Sequence, residues 1–322
     1  MADVDSLVRT VDPVFRADVL AGLAAPVPAI PARWFYDHRG SELFEEITRL
    51  PEYYPTATET ALLERYSGEI AARVGSGEAV IEFGSGSSTK TPILLQAVRP
   101  SAYVPVDISG DFLRESAAGL QREFPDLPIF PVEADFTRPF ALPGEIEGAA
   151  KLGFFPGSTI GNFVARSAVD LLRAMKETLG EGAKLVIGMD RIKDVDILIR
   201  AYDDPAGVTA AFNLNLLHRI NAELDGDVPV DGFRHKAIWN DALSRIEMHL
   251  EAVRDLAFTV SGRRFAFRQG ETIHTENSHK YGYRDSRILL RGAGWGVVAE
   301  WTDEREWFSI LLAEAEPPRF AP

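Results

Sequence analysis

Three observations predict an α/β fold with a mostly parallel sheet for this 322-residue chain. Short β-branched runs alternate with helical periods from about residue 79 to residue 190. The run AVIEFGSG ends in glycines directly before a helical segment, as a strand does when it hands over to a helix through a tight turn. The composition, 46% hydrophobic and 25% charged, supports a sizeable buried core and excludes a disordered or fibrous chain.

Residues 14 to 24 (VFRADVLAGLA) place apolar groups at helical spacing, and the Pro-rich VPAIPARWFYD behind them must leave the helix. A second helix is expected from about Gly40 to Leu50, stopped by Pro51. The loop LPEYYPT then leads into a third helix from about Thr58 to Val74. From Ala79 onward AVIEFGSG precedes the helical STKTPILLQAV, and AYVPVDIS precedes GDFLRESAAGLQREF. PIFPVEADF is the third strand, KLGFFPGSTIGNF the fourth with helix AVDLLRAMKETL, and AKLVIGMD the fifth. Strands at this interval, separated by helices, imply a parallel sheet covered on both faces. Residues 192 to 224 then show helical patterning with Asp and Pro punctuation and no strand, which reads as an insertion. Residues 237 to 268 alternate about a Gly turn and predict antiparallel strands. A helix is expected from Ser278 to Gly292, and WGVVAEWTDEREWFSILLAEA completes the sheet as an antiparallel pair.

Lys and Arg number 34 against 48 Asp and Glu, a formal charge of −14, which repels nucleic acid and anionic membranes. There is no Cys, so disulfides, thiolate metal sites and cysteine nucleophiles are excluded. The acidic start MADVDSLVRTVDPVF lacks a signal-peptide core, and no run of 18 apolar residues follows. A soluble, cytoplasmic protein is expected. The six histidines (38, 218, 235, 249, 274, 279) contain neither H-E-x-x-H nor another ligand set, so no metal is expected.

At Glu82-Phe83-Gly84-Ser85-Gly86 the glycines let backbone approach a ligand at a helix N-terminus. Ser87, Ser88 and Thr89 follow, so neither the G-x-G-x-x-G dinucleotide spacing nor a phosphate loop is present. Asp107, which ends the next strand, is placed to accept hydrogen bonds from both hydroxyls of an adenosine ribose. Asp135 and Phe136 end the third strand, where a carboxylate and a ring can hold the exocyclic amine and the face of an adenine. Each acid alone also reads as a solvated turn residue. Three matching strand ends in sequence favour a nucleoside.

This pattern is that of Rossmann-like S-adenosylmethionine-dependent methyltransferases. WFYD at 34 to 37, LPEYYPT at 50 to 56, GSGSSTK at 84 to 90, GSTIGN at 157 to 162, RAYDDPAGVTAAFN at 200 to 213, RIEM at 245 to 248 and TENS at 275 to 278 closely resemble the histidine Nα-methyltransferases of ergothioneine biosynthesis. The resemblance implies a Rossmann-like class I methyltransferase domain over residues 59–192 plus 286–322. It also implies a substrate-binding domain over 1–58 plus 193–285, with the substrate between that domain and the sheet. The implied reaction passes three methyl groups from S-adenosylmethionine to the α-amine of L-histidine, giving hercynine, with no metal and no obligate protein partner.

The resemblance places cofactor contacts at Gly84, Lys90, Asp107, Asp135 and Phe136, and only Lys90 goes unreached by spacing alone. Lys90 either reaches the methionine carboxylate as a point charge or is a solvated first-turn residue. Asn162 and Tyr202 match the carboxylate clamp; their alternatives are a left-handed turn residue after Gly161 and a core aromatic. Tyr53, Glu276 and Ser278 match the imidazole readers, with Met248 lining the same pocket. Without the resemblance Glu276 is a solvated loop acid and Met248 core filler. Tyr36 matches a position near the reacting amine, its alternative being a packing tyrosine, and no residue is assigned as an obligatory base. The rivals are a methyltransferase for another amino acid or amine, such as tryptophan, and a non-catalytic module that binds S-adenosylmethionine. Glu276 with Ser278 argues against an indole, and the carboxylate clamp against a module that reads the cofactor alone.

Overall fold

All five residues of strand β1 (Ala79–Phe83) are buried, because its alternating side chains enter two different cores. Ala79, Ile81 and Phe83 pack with Val104, Phe155 and Ile187 on one face, and Val80 packs with Tyr103, Phe154 and Val186 on the other. This is the arrangement in a computed structural model, which describes residues 11–86 and 90–317. Ser87, Ser88 and Thr89 of the glycine motif lie outside the described residues.

β1 pairs in parallel with β2 (Ala102–Asp107) on one side and β4 (Lys151–Phe155) on the other. β3 (Val132–Glu133) extends the sheet beyond β2, and β5 (Lys184–Asp190) extends it beyond β4, both in parallel. Chain order therefore reverses between β1 and β4, and in open α/β sheets ligands bind at the carboxyl ends beside such a switch. β12 (Phe308–Ala315) runs antiparallel to β5 and to β11 (Trp295–Thr302), giving the order β11-β12-β5-β4-β1-β2-β3. The sheet is the predicted Rossmann-like one, closed by the expected antiparallel pair. Its helices are α3 (Tyr54–Val74), α4 (Thr91–Val98), α5 (Gly110–Glu123), α6 (Ala165–Leu179) and α9 (Tyr283–Gly292).

Three elements differ from expectation. α3 begins at Tyr54 because Pro55 sits in its first turn, where a missing N–H costs nothing. The third strand is only Val132–Glu133, and Asp135 starts a turn in which its Oδ1 accepts from Thr137 N at 3.0 Å. The helix expected from Ser278 starts at Tyr283, because residues 272 to 279 are strand β10 (Thr272–His279). Asp285 Oδ2 accepts from Gly282 N at 3.1 Å and fixes the start of α9.

The chain divides into two units. The larger, drawn from Thr48–Ala201, Trp239–Ile246 and Asn277–Pro322, carries the seven-stranded sheet. The smaller is drawn from Met1–Ile47, Tyr202–Ile238 and Glu247–Glu276. In it α1 (Pro13–Leu23) is capped by Asp12, whose Oδ1 accepts from Val14 N at 2.8 Å. α8 (Val208–Glu223) sets Phe212 against Phe35, with ring centroids 4.5 Å apart. β8 (Leu256–Val260) and β9 (Arg263–Phe267) are the predicted antiparallel pair, turned by Ser261 and Gly262, both with positive φ as a type I′ turn requires. α2 (His38–Thr48) and α7 (Val195–Tyr202) complete the helices, and β6 (Phe233–Asn240) and β7 (Arg245–Ala252) form a sheet with β10 in the order β10-β7-β6. Among the described residues no helix is long and apolar enough to cross a membrane.

Candidate active site

In the larger unit the glycine turn and the first acid are joined directly. Gly84 and Gly86 have φ of +71° and +45°, a region that side chains disfavour. A Cβ on Gly84 would stand 3.5 Å from the Phe136 ring, so the turn and that aromatic face each other. Asp107 Oδ2 accepts from Gly86 N at 3.4 Å and Oδ1 from Ser109 N at 2.9 Å. Burial pushes the Asp107 carboxyl above its ordinary value, and these backbone donors oppose the rise. Below the turn, Glu82 is buried and accepts from Thr91 Oγ1 at 2.7 Å and Tyr103 OH at 2.5 Å. Desolvation pushes its carboxyl up to about 7 despite both bonds. Asp135 is exposed, with Oδ1 taken by Thr137.

Lys90 is not a solvated lysine. Its ammonium pairs with the carboxylate of Glu59 on α3, which is buried and also accepts from Gly157 N at 2.8 Å. Glu59 thus ties α3 to the loop that follows β4. That loop holds Asn162 at the end of a 3-10 turn (Thr159–Asn162), and positive φ is found at Gly157 (78°) and Ser158 (56°) and not at Asn162, so the turn-residue alternative for Asn162 falls. A Cβ on Gly161 would meet His279 O at 2.9 Å, and His279 Nδ1–H donates to Gly161 O at 2.9 Å. Asn162 and Ser278 therefore sit on two segments in direct backbone contact.

Ser278 is buried and accepts from Lys280 Nζ at 2.7 Å. Lys280 pairs with Asp190 Oδ2 at 2.7 Å, both side chains fully buried. Lys193 pairs with the other oxygen of Asp190, and Tyr54, beside Tyr53, donates to Oδ2 at 2.7 Å. Burial acts to raise Asp190, but the two ammoniums outweigh it and hold the carboxyl below its ordinary value. Burial draws Lys193 down to about 8.

In the smaller unit Tyr202 is buried at the end of α7, where its carbonyl accepts from His235 Nε2–H at 2.7 Å. His235 Nδ1 accepts from Asn213 Nδ2 at 2.8 Å, which fixes the tautomer, and burial lowers its pKa so that the ring stays neutral. Asn213, fully buried, also donates to His249 O at 3.1 Å and accepts from Thr275 Oγ1 at 2.9 Å. Thr275 Oγ1 also lies 3.0 Å from Met248 O, so its one proton is shared between the two acceptors, and Met248 and Glu276 lie on neighbouring strands beside one polar hub. Glu276 is a half-buried strand residue and not a solvated loop acid. Tyr36 is half-buried with its ring edge-on to Phe44 and Phe212 at 5.6 and 5.8 Å. Glu247, His249 and His274 converge with donor atoms within 4.8 Å, although His249 Nε2 is already bonded to Glu247 at 3.1 Å.

A sequence profile of histidine-specific, S-adenosylmethionine-dependent methyltransferases matches residues 15–315. The chain belongs to this family. It is 40% identical to the histidine N-alpha-methyltransferase of Mycolicibacterium smegmatis, over 92% of this chain and 94% of that one. It is 41% identical to the Mycobacterium tuberculosis protein of the same name, with the same coverage. An L-tryptophan methyltransferase of Psilocybe serbica is 27% identical over 94% of this chain and 93% of its own.

For a methyltransferase of this family, sequence reasoning passes over four residues that organise the segments carrying its candidate contacts: Glu59, Asp190, Lys280 and Asn213. Asn213 ends the RAYDDPAGVTAAFN motif and Asp190 ends the fifth strand, so both stood at marked positions. Glu59 and Lys280 carry no local signal, since a Glu in a helix and a Lys after a strand are ordinary surface residues.

Proposed function

We propose that this enzyme trimethylates the α-amine of L-histidine with S-adenosylmethionine, giving hercynine for ergothioneine biosynthesis. The observation that carries the reading is the family match over residues 15–315, joined to 40% identity with a histidine N-alpha-methyltransferase across nearly the whole chain. S-adenosylmethionine supplies an electrophilic methyl on a sulfonium. The residues of the larger unit fit it: a turn with glycines at 84 and 86 sets Gly84 against the Phe136 ring, and a half-buried carboxylate flanks the turn.

Asp107 accepts the ribose hydroxyls, Phe136 covers the adenine, and Asp135 uses Oδ2 for the adenine amine. Lys90 keeps its bond to Glu59 while a second N–H of the same ammonium meets the methionine carboxylate. Asn162 and Tyr202 hold the substrate carboxylate through an amide N–H and a phenol O–H. Tyr53, Glu276 and Ser278 read the imidazole, with Met248 against its apolar edge. Tyr36 orients the amine, which must arrive without its proton, about 3 Å from the methyl and opposite the sulfur. No protein partner or metal enters these steps, and a cysteine-free chain suits a reducing cytoplasm.

The test is the purified protein with S-adenosylmethionine and each proteinogenic amino acid, read by mass spectrometry. Histidine should yield mono-, di- and trimethylated products, and histamine, lacking the carboxylate, should be turned over poorly. Preferred methylation of tryptophan, or no methylation of any amino acid, would overturn the reading.

A further inference from the structure

In the smaller unit, three side chains that carry no role in methyl transfer meet across two neighbouring strands. Glu247 and His249 are two residues apart on β7, so their side chains leave the same side of that strand, and His274 reaches them from β10. One donor atom from each of the three lies within 4.8 Å of the other two. His249 Nε2 stands 3.1 Å from Glu247 Oε2, and the two imidazoles stack with centroids 4.8 Å apart and planes 20° from parallel. Glu247 is buried and both rings are only partly exposed. The backbone under the two histidines is braced: His274 N donates to Pro28 O at 2.9 Å, Ile30 N donates to His274 O at 2.9 Å, and Asn213 Nδ2 donates to His249 O at 3.1 Å.

We propose that Glu247, His249 and His274 form a binding site for one divalent transition-metal cation, zinc by its donor set, which staples β7 to β10. Two imidazoles and a carboxylate suit zinc, which binds such atoms at about 2.0–2.2 Å in a tetrahedral arrangement and leaves its fourth position to water. Those bond lengths set neighbouring donors about 3.3 Å apart. The His249–Glu247 separation of 3.1 Å is already close to that edge. The third donor has to close by at most about 1.5 Å, which rotation about side-chain bonds supplies. A ligating histidine usually has its other ring nitrogen held by a carbonyl or carboxylate, and His274 meets this condition. A carbonyl can only accept, so the 3.0 Å contact of His274 Nε2 with Glu276 O is an N–H donation, and Nδ1 is the nitrogen left to bind a cation. At His249 the cation takes the place of the proton between Nε2 and Glu247, and that proton moves to Nδ1 or to solvent. The cation is a staple and not a cofactor. No spacing motif announces it, because its ligands are brought together from two strands only on folding.

The experiment is calorimetric titration of zinc(II), and separately of magnesium(II), into the untagged, chelator-treated full chain at about pH 7.5, with thermal melts of the same samples. Zinc should bind once per chain and raise the melting temperature as the site fills, whereas magnesium, which takes oxygen ligands, should do neither. Cobalt(II) in place of zinc should show the strong visible absorption of a tetrahedral ion. His249→Ala and His274→Ala should each weaken zinc about a hundredfold or more, since losing even the outer partner of a ligand costs about ten- to a hundredfold. His38→Ala, which removes an exposed histidine paired with Glu42 on α2, should leave zinc affinity unchanged. Zinc bound no more tightly than about 100 µM would overturn the proposal, as would an affinity that survives both histidine substitutions. Where a histidine variant melts well below the wild type before metal is added, Glu247→Gln decides, because it keeps the size of the side chain and removes its charge. A loss of about tenfold or more in that variant supports the site, and unchanged affinity overturns it.

Discussion

Replacing Asp107 by alanine should cost cofactor affinity through two routes that the structure separates. In the proposed cofactor site the carboxylate is the charged acceptor for the ribose hydroxyls, and a hydrogen bond to a charged group contributes about 1.5–3 kcal/mol. It also secures the glycine turn, with Oδ2 on Gly86 N at 3.4 Å and Oδ1 on Ser109 N at 2.9 Å. The first bond is long and the second is a local turn contact, so the ligand term dominates. The dissociation constant for S-adenosylhomocysteine should rise about ten- to a hundredfold. Asp107→Asn should fall between, because its carbonyl can still serve Ser109 while its NH2 opposes the Gly86 N–H. Isothermal titration calorimetry measures both, with a thermal melt to show that each variant folds. The raised carboxyl adds a signed pH effect: it protonates at a higher pH than an ordinary aspartate, and the ribose needs the ionised form, so affinity declines on acidification earlier than for an unperturbed acid. A dissociation constant within about twofold of wild type for Asp107→Ala would mean that the nucleoside is not bound here.

Four further outcomes follow from the geometry. Glu82, with a carboxyl near 7 in the folded protein against 4.5 for the free side chain, binds more protons folded than unfolded between those values. Stability must therefore fall as pH rises through that window, by up to roughly 3 kcal/mol, and Glu82→Gln should remove the slope in melts compared at about pH 5 and about pH 8. Gly161→Ala would push a methyl against His279 backbone at 2.9 and 3.2 Å, and should lower stability by about 1–3 kcal/mol while raising the KM for histidine more than it changes kcat. Asn213→Ala strands His235, His249 O and Thr275, and urea unfolding should register a loss of at least about 2 kcal/mol. Glu276→Ala should raise the KM for histidine far more than it lowers turnover, on the order of 2 kcal/mol in kcat/KM, and a collapse of turnover at unchanged binding would place Glu276 at the amine instead.

Much of the fold was legible because it is written in local periods. The five runs from AVIEF to AKLVIGMD became the five parallel strands; four of them are buried on both faces and so almost wholly apolar, while the third shrank to the two-residue edge strand Val132–Glu133. The Ser261-Gly262 hairpin was legible for a similar reason, as its turn demands residues that tolerate positive φ. Residues 272 to 279 were harder. The segment TIHTENSH has no apolar alternation, and it is a strand because β7 lies beside it, with Thr275 bonded to Met248 O.

The sequence by itself determined the order of the sheet elements, the glycine turn with acids at successive strand ends, and through its motifs the family. Only the tertiary structure decided how the polar groups are paired. Lys90 reads as a surface lysine until Glu59, 31 residues earlier, is found against it. Asp190 reads as a strand end until Tyr54, 136 residues earlier, and Lys280, 90 residues later, are found sharing one of its oxygens. Periodicity reports which side of an element faces the core, a property of neighbours along the chain. The partner of a buried charge is set by where distant segments meet, and burying that charge is tolerable only once the partner has arrived.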